Sequence, residues 1–325
     1  MKIIFCLILI LLTASANNFS QSHGSFNERN NMVTNIVPHL WFDKEAKEAA
    51  KYYTSIFQNS QITNVTTISG TPSGTVDIVS FKLGDVNFSA ISAGPLFKIN
   101  PSISFFVYCG SDTEIERLYN SLSDGGTVMM PLDKYPWSNK YAWIQDKYGV
   151  SWQLDIDSRN SNQKIVPAIL FTNDKAAKVK DAIDFYCSVF PNSNILMESP
   201  WDKSSGMPEG SILFAQFKLN GYILNAMSGG TVKHEFDFNE ALSFMVYCKD
   251  QKEIDYYWEK LTEGGVEQPC GWVKDKFGVS WQIVPEEMIT MMKTKDKKQL
   301  DRLTQAMLKM GKLDLKELKK AYNNE

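Results

Sequence analysis

The sequence predicts an α+β fold of tandem domains, each built from paired βαβββ modules with curved mixed sheets, followed by C-terminal helices. Three observations predict it. The 325-residue chain repeats one pattern twice, each repeat alternates short apolar strands with two amphipathic helices, and a further helical pattern follows the second repeat. The length is enough for two domains of ordinary size.

The repeat is clearest in one phrase, since DKYGVSWQL (Asp146–Leu154) returns as DKFGVSWQI (Asp275–Ile283). Five further segments recur in the same order, which indicates a duplicated domain. We therefore predict domains at 35–157 and 164–290, joined by the polar stretch Asp157–Lys164. The other matching pairs are IVPHLWF with IVPAILF, AAKYYTSIFQNSQI with AIDFYCSVFPNSNI, VSFKLGDVNFSAIS with FAQFKLNGYILNAMS, SISFFVYC with ALSFMVYC, and LYNSLSDGG with YWEKLTEGG.

Within the first repeat, each element follows from its apolar spacing. IVPHLWF (Ile36–Phe42) is a short apolar run typical of a buried strand, and the apolar positions from Ala46 to Phe57 have helical spacing. A second helix is predicted over Thr113–Leu122, with two glycines after it as a stop signal. Strands are predicted around Val65–Ser69, Thr75–Leu83, Val86–Ile91, Ser102–Cys109, Met129–Met130, Tyr141–Gln145 and Val150–Ile156. The second repeat is predicted to follow the same order.

The strand after the repeated phrase has two chemically different faces, since side chains alternate along a strand. Val150, Trp152 and Leu154 share the apolar face, which we expect to pack against helices. Gln153 lies on the other face, toward the hollow of a curved sheet. Its counterpart Gln282 is placed in the same way in the second repeat.

The turn before that strand is DKYG in one repeat and DKFG in the other. Glycine at the end of a short polar loop predicts a hairpin, because glycine tolerates positive φ. Asp146, Lys147, Asp275 and Lys276 are therefore interpreted as turn residues.

The first residues predict export. A short positive start precedes an unbroken apolar run from Ile3 to Leu12, and small residues follow it. This pattern is typical of a secretory signal peptide, so residues 1–16 are expected to be removed and 17–34 to form a disordered leader. The mature protein is then expected to be secreted or periplasmic. It is not expected in the membrane, since the apolar run is well short of the roughly 20 residues that span a bilayer.

Composition limits the partners. The chain has 34 Lys and Arg against 37 Asp and Glu, a net charge of −3, so no nucleic-acid partner is expected. The C-terminal segment 291–325 carries several lysines, and we expect them to form a solvated helical face. The cysteines after the leader are expected to be buried thiols rather than a disulfide framework; they are Cys109, Cys187, Cys248 and Cys270.

The paired modules and their motifs resemble the PhnB-like branch of the vicinal oxygen chelate superfamily, historically labelled 3-demethylubiquinone-9 3-methyltransferase. The matching residues are IVPHLWF, AAKYYTSIF, SISFFVYC and above all GWVKDKFGVSWQIVP (Gly271–Pro285), while the tail Leu303–Tyr322 is similar to that group's C-terminal helices. The superfamily also includes glyoxalase I and the fosfomycin and bleomycin resistance proteins. The resemblance covers nearly all the mature chain and implies a divalent metal or a small molecule bound in the hollow of the sheet.

The resemblance also implies where a metal would be held, and the residues there differ. The metal enzymes of the superfamily use His and Glu from facing strands. Their last-strand Glu corresponds to Gln153 and Gln282, and the first strand has His39 in one repeat but Ala168 in the other. We therefore predict no metal ligands and no cofactor, with one divalent metal as the alternative. A methyltransferase activity is not supported, since the sequence has no glycine-rich nucleotide fingerprint.

An aromatic hollow lined by amides is the best candidate site. Trp137 belongs to an extra loop of the first repeat, Pro131–Tyr141, which we expect to act as a semi-rigid lid. Trp152 and Trp281 are instead expected in the core. The candidate ligand-binding residues are His39, Trp41, Trp137, Trp143, Gln153, Trp272 and Gln282.

Three functions stay open at this point. The missing metal ligands favour an exported protein that binds a small molecule without catalysis. The alternatives are a metal-dependent lyase, isomerase or dioxygenase of the same superfamily, and a non-catalytic interaction protein. The residues do not decide whether the chain is an enzyme, and they point to no catalytic group. The two repeats are expected to pack as an intrachain pseudo-dimer, and a homo-oligomer is left open.

Overall fold

The computed structural model describes residues 36–157 and 163–325. The predicted signal peptide (1–16) and leader (17–34) lie outside the described residues. The first repeat contains β1 (Ile36–Phe42), α1 (Ala46–Ile56), β2 (Gln61–Thr71), β3 (Gly74–Leu83), β4 (Val86–Ser92), β5 (Ile103–Cys109), α2 (Asp112–Ser123), β6 (Thr127–Tyr135), β7 (Ser138–Gln145) and β8 (Ser151–Ile156).

The second repeat follows the same order and is succeeded by three helices. It contains β9 (Ile165–Phe171), α3 (Val179–Val189), β10 (Asn194–Pro200), β11 (Ile212–Leu219), β12 (Tyr222–Ser228), β13 (Leu242–Cys248), α4 (Gln251–Thr262), β14 (Val266–Glu267), β15 (Trp272–Lys274) and β16 (Ser280–Pro285). The terminal helices are α5 (Glu286–Met291), α6 (Lys297–Met307) and α7 (Leu315–Asn323). The predicted α+β fold with terminal helices is confirmed.

The strands form two mixed eight-stranded sheets. Sheet A has the order β14-β15-β16-β13-β1-β4-β3-β2, and sheet B has the order β10-β11-β12-β9-β5-β8-β7-β6. Each sheet therefore takes four strands from each repeat. The modules join where β1 runs antiparallel to β13 and β5 runs antiparallel to β9, which pairs His39 with Ser243 and Ser104 with Ala168. This exchange of modules makes the two repeats an intrachain pseudo-dimer.

The helices form where the sequence provides both an apolar stripe and a start signal. The side chain of Ser111 accepts a hydrogen bond from the backbone N–H of Glu114 at the start of α2, and Asp250 does the same for Glu253 at the start of α4. Such caps satisfy backbone N–H groups that have no partner in the first turn. The helices' apolar stripes enter one large core that both sheets share, and Trp152 and Trp281 lie fully buried in it, as predicted.

Each repeated turn holds a buried carboxylate. Asp146 is only 4% exposed, and its Oδ2 accepts hydrogen bonds from the Tyr53 hydroxyl at 2.8 Å and from Trp152 Nε1 at 2.8 Å. Its Oδ1 accepts from the backbone N–H groups of Tyr148 at 2.9 Å and Val150 at 3.0 Å. One carboxylate thus joins helix α1, the turn and strand β8.

The second repeat builds the same unit around Asp275. Its carboxylate accepts from the Tyr186 hydroxyl at 2.8 Å, from Trp281 Nε1 at 2.9 Å and from two backbone N–H groups of the turn. Burial raises the pKa of both carboxyl groups, and the donated hydrogen bonds act in the opposite direction. Asp146 and Asp275 are turn residues, as interpreted, and their burial adds a structural role that the sequence did not predict. The repeated phrase is a buried structural unit.

Two further expectations can be compared with the structure. The segment Pro131–Tyr141 was predicted to be an extra loop, but most of it forms strand and extends the β6–β7 hairpin. The described cysteines are all free, with Cys109 and Cys248 buried and the other two partly buried. Within residues 36–157 and 163–325, no helix has the length and apolarity that crossing a bilayer would need.

Candidate functional site

A cavity of about 350 Å³ lies in the hollow of sheet A. Strands from both modules of the sheet provide its floor, and α5 and α6 lie over it. Four of the predicted ligand-binding residues line this one cavity: His39, Trp41, Trp272 and Gln282. His39 and Trp41 come from β1 of the first repeat, while Trp272 and Gln282 come from β15 and β16 of the second. The site therefore exists only because the repeats exchange modules.

The two tryptophans form an aromatic wall beside the histidine. The Trp272 ring lies 5.7 Å from the His39 ring and 6.4 Å from the Trp41 ring, both in edge-to-face arrangements. The Trp41 indole N–H donates to the carbonyl of Gly94 at 2.8 Å, which fixes the ring. Edge-to-face packing of this kind leaves flat ring surface available to a ligand.

His39 is the one buried imidazole of the described cavity wall. It is 4% exposed, and its Nδ1 is buried without a hydrogen-bond partner among the described residues. Burial lowers the pKa of His39 to about 3, so the ring is neutral near pH 7. A neutral imidazole offers one donor and one acceptor. A buried polar atom without a partner is costly, so a ligand that satisfies it gains affinity.

Gln282 supplies a second polar group on the floor. Its Nε2 donates to the Ser243 hydroxyl at 3.0 Å, which leaves its Oε1 with no donor from the described part of the chain. Tyr247 also lines the cavity, and burial raises the pKa of its phenol to about 12, so it is neutral as well. The polar groups here can exchange hydrogen bonds with a ligand without carrying charge.

The hollow of sheet B is filled by its own side chains. Gln153 is 1% exposed, its Nε2 donates to the Ser104 hydroxyl at 2.7 Å, and its Oε1 accepts from the Tyr141 hydroxyl. Trp143 is buried beside them and donates to the Ser151 hydroxyl at 2.7 Å. The structure therefore places Gln153 and Trp143 in a packed cluster, away from the cavity of sheet A.

Trp137 is the remaining predicted ligand-binding residue. Its side chain is 37% exposed at the tip of the β6–β7 hairpin, and it stacks on Tyr135 with ring centroids 5.2 Å apart. It also packs edge-to-face on Tyr141, whose hydroxyl plugs the hollow of sheet B. Trp137 thus covers the filled hollow and is not brought together with the sheet A group.

Pairwise differences between the repeats explain why one hollow is open. Strand registers show that the pair Gln216–Asn225 in sheet B occupies the place of Ser80–Ser89 in sheet A. In sheet B the Gln216 amide donates to Asn225 Oδ1 at 3.0 Å, and both amides donate to the Tyr108 hydroxyl. The two serines are too short to make that network, so they leave space.

The largest difference between the two hollows is at the position whose side chain contacts the glutamine in sheet B. The repeat places Cys270 where the first repeat has Tyr141. Cys270 lines the cavity but lacks the phenol that would reach Gln282. Sequence analysis did not single out Ser80, Ser89 or Cys270. A comparison of side-chain size at matching positions of the two repeats is the signal that could have found them.

The C-terminal helices form the remaining wall, which the sequence analysis also missed as part of the site. Met288, Met292 and Met307 line the cavity from this segment. The helices are tied to sheet A, since the Thr66 hydroxyl donates to the carbonyl of Met292 at 3.0 Å and the backbone N–H of Cys270 donates to Met310 at 2.7 Å. Methionine is flexible and polarisable, so this wall can adapt to a ligand's shape.

The hollow of sheet A does not suit the divalent metal that the fold implies. Within the described residues, no three His, Cys, Asp or Glu side chains are grouped to hold an ion. The residues around His39 offer an amide, hydroxyls and a half-buried thiol whose pKa is raised by burial. A transition-metal site would need further imidazole or carboxylate ligands. We therefore derive no reaction through a metal.

Comparisons with known proteins found a matching family and similar solved structures. The family model described as 3-demethylubiquinone-9 3-methyltransferase matches residues 34–155 and again 163–284. A PhnB protein from Bacillus cereus is 32% identical over 37% of this chain and 98% of its own, with a TM-score of 0.35. Glyoxalase I from Zea mays is 12% identical, covers 79% of this chain and 96% of its own, and has a TM-score of 0.52.

The glyoxalase I likeness concerns the fold alone. No match was found among curated proteins. The family model covers both repeats and most of the chain. The chain therefore belongs to the family whose model is described as 3-demethylubiquinone-9 3-methyltransferase.

Proposed function

We propose that this protein binds a small molecule in the hollow of sheet A and that the hollow of sheet B is a scaffold. The observation that carries the proposal is the contrast between the two hollows. One contains a cavity of about 350 Å³ with the unpartnered Nδ1 of His39 and with Gln282, whose one side-chain hydrogen bond in the described residues is made by Nε2, while Tyr141 closes the other. Ligand pockets are commonly about 300–1,000 Å³, mostly apolar, with a few polar groups that orient the ligand.

The proposal is binding without catalysis. A catalytic site needs a nucleophile or a general acid or base placed at the ligand. The cavity wall offers His39, which burial keeps neutral, and Cys270, whose thiol pKa is raised by burial. A thiol held in its protonated form is a poor nucleophile. These residues support recognition of a ligand better than they support a reaction.

Export is part of the same proposal. The apolar start of the chain, residues 1–16, has the pattern of a secretory signal peptide and supports a secreted or periplasmic protein. A protein that captures small molecules outside the cytoplasm would need no cofactor supply. Expression of the full chain with N-terminal sequencing of the mature protein tests this part: a mature N-terminus near residue 17 supports export, and an intact Met1 contradicts it.

The binding experiment uses N-phenyl-1-naphthylamine, a neutral probe whose fluorescence rises in apolar sites. A double variant, Ser80→Gln with Ser89→Asn, transplants the residues that fill sheet B into sheet A. We expect it to weaken probe binding at least about tenfold, because the added amides occupy the cavity. The matched control, Ser80→Ala with Ser89→Ala, keeps the space open, so it should bind within about threefold of wild type. A tenfold change in affinity corresponds to about 1.4 kcal/mol. Equal binding by the filled variant and wild type would overturn the proposal.

A further inference from the structure

We propose that the ligand of this hollow is an uncharged hydroxylated aromatic molecule, and that the hollow rejects both anions and cations. The inference rests on the proposed binding function and names the class of molecule that the site takes. Three observations support the inference. The cavity wall carries no charge, the amide oxygen of Gln282 accepts no hydrogen bond from the described residues, and the equivalent amide oxygen in sheet B accepts one from a tyrosine hydroxyl.

The wall of the cavity is neutral throughout its described residues. None of them is Asp, Glu, Lys or Arg. The three lining groups that could ionise are His39, Tyr247 and Cys270; burial lowers the pKa of the imidazole to about 3 and raises the pKa of the phenol and of the thiol, so all three are neutral near pH 7. A buried ion needs a countercharge or several hydrogen bonds to replace its water, and this wall has no countercharge. A carboxylate, phosphate or ammonium ligand would therefore bind weakly.

Sheet B shows which group the amide oxygen accepts. There, the Tyr141 hydroxyl donates to Gln153 Oε1, while Gln153 Nε2 donates to the Ser104 hydroxyl. In sheet A the hydrogen bond from the glutamine to a serine is kept, since Gln282 Nε2 donates to the Ser243 hydroxyl at 3.0 Å. The hydrogen bond from a tyrosine hydroxyl to the glutamine Oε1 is absent from the described residues, because Cys270 stands in place of the tyrosine.

A ligand can supply what the cysteine does not. An aromatic ring with a hydroxyl would fill the space of the absent Tyr141 side chain and donate to Gln282 Oε1. The rings of Trp41 and Trp272 would pack against it, as aromatic pairs do at centroid distances of about 4.5–7 Å. The three methionines of the C-terminal segment would close over its apolar edge.

Four naphthalene probes test the class by isothermal titration calorimetry on the full-length mature protein. They are 2-naphthol, naphthalene, 2-naphthoate and 2-naphthylmethylammonium, which share a ring system and differ in hydroxyl and charge. We expect 2-naphthol to bind at least about tenfold more tightly than either ion, and at least about threefold more tightly than naphthalene. In Gln282→Leu the advantage of 2-naphthol over naphthalene should disappear, while naphthalene still binds and so reports a folded site.

The outcomes separate the inference from the function beneath it. If either ion binds as tightly as 2-naphthol, the neutral class is overturned while binding in the hollow stands. If naphthalene matches 2-naphthol in wild type, the hydroxyl contact is overturned. If none of the four probes shows saturable binding, the proposed function fails and the inference fails with it. The wild-type series decides each of these without any variant.

Discussion

The buried carboxylate of each repeated turn makes a quantitative prediction about stability. In Asp275→Asn, one oxygen that now accepts from the Tyr186 hydroxyl and Trp281 Nε1 is replaced by an NH₂ group, or the amide flips and loses the two turn N–H contacts instead. In the first orientation the Tyr186 hydroxyl can turn and accept from the NH₂ group, so only the Trp281 Nε1–H faces a donor, while in the flipped orientation two backbone N–H groups do. The amide takes the less costly orientation, and each unsatisfied buried donor costs roughly 1–3 kcal/mol, so we expect a loss of about 1–3 kcal/mol in the free energy of unfolding.

That loss is a large part of a total that is usually about 5–15 kcal/mol. The control is Tyr186→Phe, which removes one donor without adding another and should cost about 1 kcal/mol. Urea unfolding followed by tryptophan fluorescence measures both, with the midpoint falling and the slope unchanged. Asp146→Asn should behave in the same way, because its contacts are equivalent. A loss below about 0.5 kcal/mol for either variant would refute the account of the repeated phrase, since a surface turn residue would give that result.

Three further predictions concern the hollows. Cys270→Tyr should place a phenol in the cavity and weaken N-phenyl-1-naphthylamine binding at least about tenfold; because Cys270 has a φ of 63°, which strains a tyrosine, the urea midpoint is measured as well, and a retained affinity would place the probe elsewhere. Trp137→Ala should change probe affinity by no more than about twofold, because its side chain covers the filled hollow. A large loss of affinity would support the predicted lid instead. His39 has a folded-state pKa lowered to about 3, so the unfolded chain binds more protons below the ordinary value of 6.5 and falling pH destabilises the fold. His39→Gln should remove about 3 kcal/mol of the stability lost between about pH 7 and pH 4, and identical pH profiles for the two proteins would contradict this.

Much of the fold was predictable because each element carries its own local pattern. The apolar spacing of α1 and the alternation in β8 were enough to place Trp152 in the core and Gln153 on the opposite face. The pairing of β1 with β13 was not predicted. Nothing in a strand's own sequence says whether its partner comes from the same repeat or the other one, and that choice is made by tertiary packing.

The site was predicted in part. His39, Trp41, Trp272 and Gln282 line one cavity, while Gln153 is placed in a filled hollow by Tyr141. Gln153 and Gln282 thus differ in environment, because Tyr141 fills the space beside the first and Cys270 leaves space beside the second. The burial of the turn residues Asp146 and Asp275 was not predicted, because the tyrosine hydroxyls that donate to them come from helices 93 and 89 residues away in the sequence.

The central claim is that ligand enters the hollow of sheet A and not that of sheet B. Fluorine NMR of protein labelled with 5-fluorotryptophan tests it most directly, since the chain has 8 tryptophans and each can be assigned by a single Trp→Phe variant. On titration with 2-naphthol, the account predicts that the resonances of Trp41 and Trp272 shift and that those of Trp137 and Trp143 do not. Shifts at Trp137 and Trp143 with none at Trp41 and Trp272 would contradict it.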